Sequence, residues 1–417
     1  MDTYDPSIIE PKWQQAWEKW GLDKAEDFSK KKKFYLLVEF PYCSGAGLHI
    51  GHARPWLPVD AVARKKRMDG FNVMFPFGWD AFGLPTENYA IKTGRPPAEI
   101  TAENIKHFKQ QAKSLGLSFD WSREVNTSDP GYYRWTQWIF VQLFKKDMAY
   151  QDEVDVNWCP ACKTNLADEE VMGNGNHERC GQPTEKRKQK QWLLRITKYA
   201  DRLIDDLKKV DYPTQVATQQ VNWIGKKEGA SVKFGEIEIF TTRVDTIFGA
   251  TFLVLSPSHP LANKVKTVVN PATKKEIPVF VDEYVLDTFG TGAIMGVPAY
   301  DERDEAFAKK KGMTIYKDFE LVDPDKIIAD LGPQVAKKTF TLHLHDWVFS
   351  RQHYWGEPIP IIHCPKCGPV AVSEDRLPVE LPFLEKYQPS GTGESPLAAA
   401  TDWLVAKCPS CGAVGRR

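Results

Sequence analysis

The chain has 417 residues, 42% of them hydrophobic, with 55 basic side chains balanced by 55 acidic ones. That length and apolar content suffice for large cores spread over about two to four domains, and the zero net charge excludes a long-range pull of the whole chain toward polyanions. No apolar run is long enough to span a bilayer and the opening "MDTYDPSIIEPKWQQAWEKWG" has no secretory pattern, so a cytoplasmic protein that keeps off membranes is expected.

"KFYLLVEF", ending at Phe40, is a short continuous apolar run of the kind shown by a parallel strand covered on both faces. A Gly/Ser-rich turn follows, then a helix expected from Gly51 to Asp69 with the basic run "ARKKR", then a second strand, "NVMFPF". Strand, phosphate-type turn, helix and strand in that order predict the start of a nucleotide-binding α/β domain. His49 and His52 flank the first turn of the helix. A helix N-terminus offers unpaired N–H groups and a positive dipole end, so it favours polyphosphate, and both rings can donate to the same phosphate oxygens. Gly51 between them has no side chain, which leaves room for a flat ring such as adenine against the backbone. This set suits stabilisation of the charge that develops when a nucleophile attacks the α-phosphate of ATP. His-Ile-Gly-His arises by chance about once in a thousand chains of this length, so a pair of unrelated surface histidines is the weaker reading.

Further along, amphipathic helices are expected at "AENIKHFKQQAKSLG" and "YYRWTQWIFVQLFKKD". Seven of the eight cysteines then fall into two spaced sets. Cys159, Cys162, His177 and Cys180 form the first, and Cys364, Cys367, Cys408 and Cys411 the second. In a cytosolic chain Cys-x-x-Cys turns read as tetrahedral zinc sites, and a full set of four ligands reads as structural; unliganded or redox thiols are the alternative. After the first set "QWLLRITKYADRLIDDLKKV" is expected to resume helix. From Gly225 the pattern turns to short β-rich segments, "SVKFGEIEIFTTR", "ATFLVLS" and "IPVFVDEYV", and near Phe340 the mixed pattern of the first 224 residues resumes. Two basic clusters, Lys30 to Lys33 and "EKRKQK" at Glu185 to Lys190, could attract nucleic acid locally, although such runs are usually solvated surface.

At this level the motifs carry a resemblance. His49-Ile50-Gly51-His52 resembles the signature of class I aminoacyl-tRNA synthetases. "FPYCSGAGLHIGHARPW", "GWDAFGLPTENYAIK", "VNWCPACKTNLADEEV" and "DWVFSRQHYWGEPIP" resemble bacterial-type leucyl-tRNA synthetases. The likeness runs over essentially the whole chain. It implies an α/β, Rossmann-like class I synthetase catalytic domain, here its N-terminal half, with an inserted β-rich editing domain and two zinc-binding modules. The implied activity is ATP-dependent ligation of leucine to its tRNA through leucyl-adenylate, with hydrolytic editing; a stand-alone hydrolase of mischarged tRNA is the alternative. The implied partners are leucine, ATP with Mg2+, leucine tRNA, structural Zn2+ at two sites, and a second polypeptide carrying a missing half. Phe40 and Tyr42 would line the leucine pocket and Asp80 would hold the leucine ammonium, while His49, Gly51 and His52 would serve the ATP phosphates. In the insert, Thr241, Thr242, Arg243 and Thr246 match the family's threonine-rich editing segment, with the Thr246 methyl excluding leucine. Asp301 and Asp304 match its second half, Asp304 holding the amino group of the misattached amino acid. Editing has a physical reason, since a pocket rejects an amino acid one methylene different by only ~1 to 3 kcal/mol.

The resulting division is 1–154 for the first half of the catalytic domain, 155–190 for the first zinc module, and 191–224 for a catalytic continuation. Residues 225–340 form the shortened editing domain, 341–360 the return, and 361–417 the second zinc module. Three departures stand out. Cys43 stands where the family has proline, which would loosen the turn. Tyr300 stands where the family has His. The sequence has no Lys-Met-Ser-Lys-Ser loop, so a fragment or one subunit of a split enzyme is expected.

Overall fold

The computed structural model describes residues 4–43, 45, 47–166, 170–285, 290–388 and 393–417. Ser44 and Ala46 of the turn before His49 lie outside them. Packing divides the chain into two compact units, Met1–Leu194 with Val348–Arg417, and Arg195–Trp347.

The first unit opens with α1 (Pro6–Trp20), capped by Asp5, whose Oδ1 accepts from the Ser7 amide at 2.9 Å, and ended by Gly21 at φ 62°. β1 (Lys33–Tyr35) runs parallel to β2 (Asn72–Met74). Only these three residues of "KFYLLVEF" form a regular ladder, yet the pairing continues beyond them. Leu36 N–H donates to Met74 O at 3.0 Å, Asp80 N–H donates to Pro41 O at 3.1 Å, and Tyr42 and Asp80 form a parallel bridge. On the other side β3 (Pro76–Trp79) runs parallel to β4 (Asp120–Asn126).

Strand alternation sends Phe75, Phe77 and Trp79 to one face, where all are buried. They meet α2 (Ile50–Met68), whose buried residues Ala53, Trp56, Asp60 and Ala63 recur at the three- and four-residue spacing of a helix face. Phe77 stacks on Phe119 at 4.2 Å and stands edge-on to Trp56 at 5.1 Å, the offset and T-shaped geometries that ring quadrupoles favour. Helices α3 (Leu84–Thr93), α4 (Pro97–Ser114) and α5 (Pro130–Lys145) each start with proline in the first turn, where its missing N–H costs nothing.

β5 (Ala149–Cys159) then pairs antiparallel with β6 (Thr164–Leu166) and β7 (Glu185–Leu194). Here one expectation changes. "QWLL" continues β7 opposite residues 149–152 instead of starting a helix, because the long partner strand supplies a ladder as far as Leu194. "EKRKQK" lies on that strand with Lys190 opposite Glu153 and Lys188 opposite Asp155, so opposite charges face each other across the ladder. After the second unit the first is completed by β16 (Ile361–Cys364), β17 (Gly368–Ala371), β18 (Val405–Lys407) and β19 (Val414–Arg416), in the order β17-β16-β19-β18.

The second unit begins with the short helices α6 (Ala200–Asp205) and α7 (Thr214–Ile224), so residues 195–224 pack with the insert. Two sheets follow. One has the order β14-β8-β9, from β8 (Lys227–Phe234), β9 (Ile237–Thr241) and β14 (Ala336–Thr341). The other has the order β11-β12-β10-β13, from β10 (Phe252–Leu255), β11 (Thr267–Val269), β12 (Glu276–Val281) and β13 (Ala293–Gly296). Phe234, Ile237, Ile239, Ile247 and Leu253 are fully buried at their shared core. α8 (Glu302–Lys310) and α9 (Pro324–Leu331) complete the unit before β15 (Trp347–Val348). No helix among the described residues is long and apolar enough to cross a membrane.

Candidate active site and metal centres

The signature turn caps its own helix. His49 Nδ1 accepts from the Gly51 amide at 3.1 Å, His52 Nδ1 accepts from the His49 amide at 3.2 Å, and His52 N–H reaches His49 O at 2.9 Å. The amides expected to be free for phosphate are therefore engaged. Because each Nδ1 is an acceptor, the neutral ring carries its proton on Nε2, and it is these N–H groups, with the dipole of α2, that remain for an anion. The rings lie 3.9 Å apart at 32°, and burial together with the neighbouring His49 pulls His52 below the usual histidine range. Gly51 also gains a local reason. A Cβ there would stand 2.8 Å from Cε1 of His49, inside the capping ring.

Beside the turn, the strand carrying Phe40 and Tyr42 lies next to the end of β3. Gly78 leaves the space into which Phe40 fits, since a Cβ there would meet Phe40 Cε2 at 2.5 Å. Tyr42 hydrogen-bonds Asp80, and burial pushes the Asp80 carboxyl above the usual carboxylate range against that bond. Cys43 itself, at the start of the turn, is held in place. It is fully buried, its amide donates to Asp80 O at 3.4 Å and its carbonyl accepts from Asn104 Nδ2 at 2.7 Å.

The cysteines form two clusters, each with all its ligand atoms within 4.8 Å of one another. In the first, Cys159 and Cys180 sulfurs are 3.5 Å apart, and His177 Nδ1 lies 3.5 Å from Cys162 Sγ and 3.2 Å from Cys180 Sγ. In the second, Cys364 and Cys411 sulfurs are 3.6 Å apart. A zinc tetrahedron has S···S edges of about 3.7 Å, so both sets fit the ion. The donor chemistry agrees. The Lys366 amide pulls Cys364 down to about 7, while the hydrogen bond to Cys411 pushes Cys367 up to about 12; four thiolates in one cluster would repel one another without a cation between them. The residue after each second cysteine is left-handed, at φ 54° for Lys163, 73° for Gly368 and 72° for Gly412.

In the second unit Thr241 Oγ1 accepts from the Arg243 amide at 3.0 Å, Thr242 is exposed, and the buried Thr246 donates its hydroxyl to Arg243 O at 2.7 Å. Arg243 pairs with Asp245 at 2.9 Å and lies 5.8 Å over the Tyr300 ring, which brings the two matched segments together. Asp301 caps α8 through the Arg303 and Asp304 amides. Asp304 is buried, with Oδ2 accepting from Val297 N–H at 2.7 Å and Oδ1 from the Tyr284 hydroxyl. Each of its oxygens thus already accepts one hydrogen bond and keeps a second lone pair.

The family model for tRNA synthetases class I (I, L, M and V) matches residues 12–229, more than half of the chain. The chain belongs to the class I tRNA synthetases. A second model, leucyl-tRNA synthetase editing domain, matches residues 221–268 and 263–329. The leucine–tRNA ligase of Alkaliphilus oremlandii is 46% identical over 100% of this chain and 61% of its own length. That of Elusimicrobium minutum is 46% identical over 98% and 57%. A LeuRS from Agrobacterium radiobacter K84, solved as a ternary complex with tRNA and LeuAMS, superposes with a TM-score of 0.89 at 38% identity, covering 100% of this chain and 57% of that one. The expected family and fold are borne out. The chain spans about three-fifths of the length of the curated relatives it matches.

For this class I synthetase the sequence missed three residues around Asp80. Glu357 is pushed up by burial and, to a lesser degree, by the Asp80 charge, so two carboxyls stand near each other here. Trp355 and Glu87 hold the backbone that follows Asp80. Both sit in quoted motifs, "SRQHYWGEP" and "GLPTENYA", but nothing local assigns them a role.

Proposed function

We propose that this chain supplies the amino-acid and nucleotide sites of a leucine–tRNA ligase and carries an editing unit for mischarged tRNA. The observation that supports it most is the juxtaposition of Tyr42 and Asp80 with a helix start capped by His49 and His52, beyond the carboxyl ends of parallel strands, where α/β folds bind ligands. Asp80 and Tyr42 bind the leucine ammonium and Phe40 lines its side-chain pocket. The leucine carboxylate oxygen then attacks the α-phosphorus of ATP, the α–β phosphoanhydride breaks, and pyrophosphate leaves with its Mg2+. Nε2–H groups of His49 and His52 and the α2 dipole stabilise the charge gathering on the phosphates. A hydroxyl of the tRNA 3′ end next takes the leucyl group and releases AMP.

Cys159, Cys162, His177 and Cys180, and Cys364, Cys367, Cys408 and Cys411, would each hold a zinc ion with four protein ligands, which would stabilise the fold and serve a structural role. Thr241 to Thr246, Asp301 and Asp304 form the editing cleft, and the remaining portion of the enzyme, on the same or a second polypeptide, completes ATP binding. A stand-alone hydrolase leaves the doubly capped signature and the half-buried Asp80 without purpose. Leucine-dependent exchange of pyrophosphate into ATP tests the reading. The 417-residue chain should be silent alone and active when the carboxyl-terminal portion of a close relative is supplied in trans. Reconstituted protein that exchanges with another amino acid, or with none, sinks it.

A further inference from the structure

Trp355 fastens the segment that carries Asp80. Its Nε1 donates to Ala81 O at 2.7 Å, its carbonyl accepts from Gly83 N–H at 3.1 Å, and its ring stands against Phe82 at 5.0 Å. Glu87 in turn fastens Trp355. Its carboxyl is fully buried on α3, and Oε2 accepts from the Trp355 amide at 2.6 Å. Among the described residues Oε1 has no hydrogen-bond partner, and neither does the buried Nδ1 of His353, which lies 3.8 Å from Oε2. Burial pushes Glu87 up to about 7 and His353 down to about 4.

Carrying an acid at such a place is costly, and an apolar residue would fill it with less penalty if packing were all that mattered. What only an oxygen can supply is the acceptor for Trp355 N–H. We propose that Glu87 is a positioning residue for the amino-acid site: it holds the Trp355 backbone, Trp355 holds Ala81 to Gly83, and Asp80 is thereby set for the substrate ammonium. The proposal rests on the leucine reading of Asp80.

The test uses the full chain as wild type, Glu87→Gln and Glu87→Leu, with leucine affinity measured by calorimetry and amide hydrogen exchange read at Gly83. Gln keeps an oxygen acceptor for Trp355 N–H, so leucine should bind within about threefold of wild type. Leu removes the acceptor and strands a buried N–H, so leucine binding should weaken by about tenfold or more, with faster exchange at Gly83. Leucine affinity in Glu87→Leu equal to wild type overturns the proposal, as does Glu87→Gln behaving like Glu87→Leu. Should Glu87→Leu fail to fold, Trp355→Phe removes the donor to Ala81 O together with part of the buried ring, and unchanged leucine affinity in that variant overturns the relay. If the wild-type chain binds no leucine, the reading of Asp80 fails, and Gly83 exchange decides alone. Faster exchange in Glu87→Leu but not in Glu87→Gln supports the relay; equal exchange in all three rejects it.

Discussion

Side chains in this protein often act on backbone rather than on one another, and substitutions should be judged accordingly. In an exposed helix, replacing Gly by Ala ordinarily gains about 1 kcal/mol. At Gly51 the sign should reverse, because the new methyl would stand 2.8 Å from His49 Cε1 and drive the ring from its cap. Loss of the cap costs about 1 kcal/mol, readable as a lower urea midpoint, together with weaker ATP binding. A more stable Gly51→Ala variant with intact nucleotide affinity contradicts the capping account. Asp80 yields a pH dependence with a definite sign. Its carboxyl is raised by burial, so it takes up a proton at a higher pH than an ordinary aspartate and ammonium binding declines as pH falls through that raised value. The linked stability term runs the other way. It is present below the unfolded-state pKa and is lost as pH rises through the folded one. Calorimetric leucine titrations across mildly acid pH should show weakening in wild type, and Asp80→Asn should bind weakly and flatly throughout. For Asp304 the buried bonds to Val297 and Tyr284 predict that Asp304→Ala loses about 1–3 kcal/mol of stability by stranding a buried donor, besides any loss of deacylation; unchanged unfolding of the second unit would show that those bonds carry nothing.

Elements whose logic is local could be read from the chain, and those decided by distant partners could not. The cysteine clusters are the clearest readable case, since each Cys-x-x-Cys knuckle is shaped by one tight turn and by the left-handed residue after it. The two histidines at the start of α2 were equally readable as a pair, but their hydrogen bonding was not: spacing put them on one turn without revealing that their rings would cap its amides. β7 shows the opposite case. Its last four residues look apolar and helix-compatible by themselves, and only the ladder with residues 149–152 makes them strand. Glu87 and Trp355 meet across 268 residues of sequence, a distance at which no periodicity carries information. The readable elements also yield a direct check. Cys408→Ala removes one ligand from the cluster that ties β16 to the turn between β18 and β19, so elemental analysis should find one zinc lost and the Cys159 cluster still loaded. Loss of both ions, or of neither, refutes two independent sites.

At the scale of the molecule, each unit has its own buried core, and both cysteine clusters belong to the first. Metal that binds only the folded state stabilises the unit that holds it. A strong chelator should therefore lower one calorimetric transition and leave the other, from the Arg195–Trp347 unit, in place. A uniform shift of both would mean that the two cores unfold together. The β8–β14 pairing carries a different kind of consequence. Lys227 and Thr341 stand directly opposite each other on antiparallel strands, and such partners have their Cα atoms only about 4.5–5.5 Å apart. The 113 positions from 228 to 340 thus leave and re-enter through a single doorway. Two residues in a tight turn suffice to close that gap, so the whole stretch behaves as a cassette. Evolution or an engineer can unplug it, or seat another domain whose ends lie equally close, without asking the flanking backbone to move.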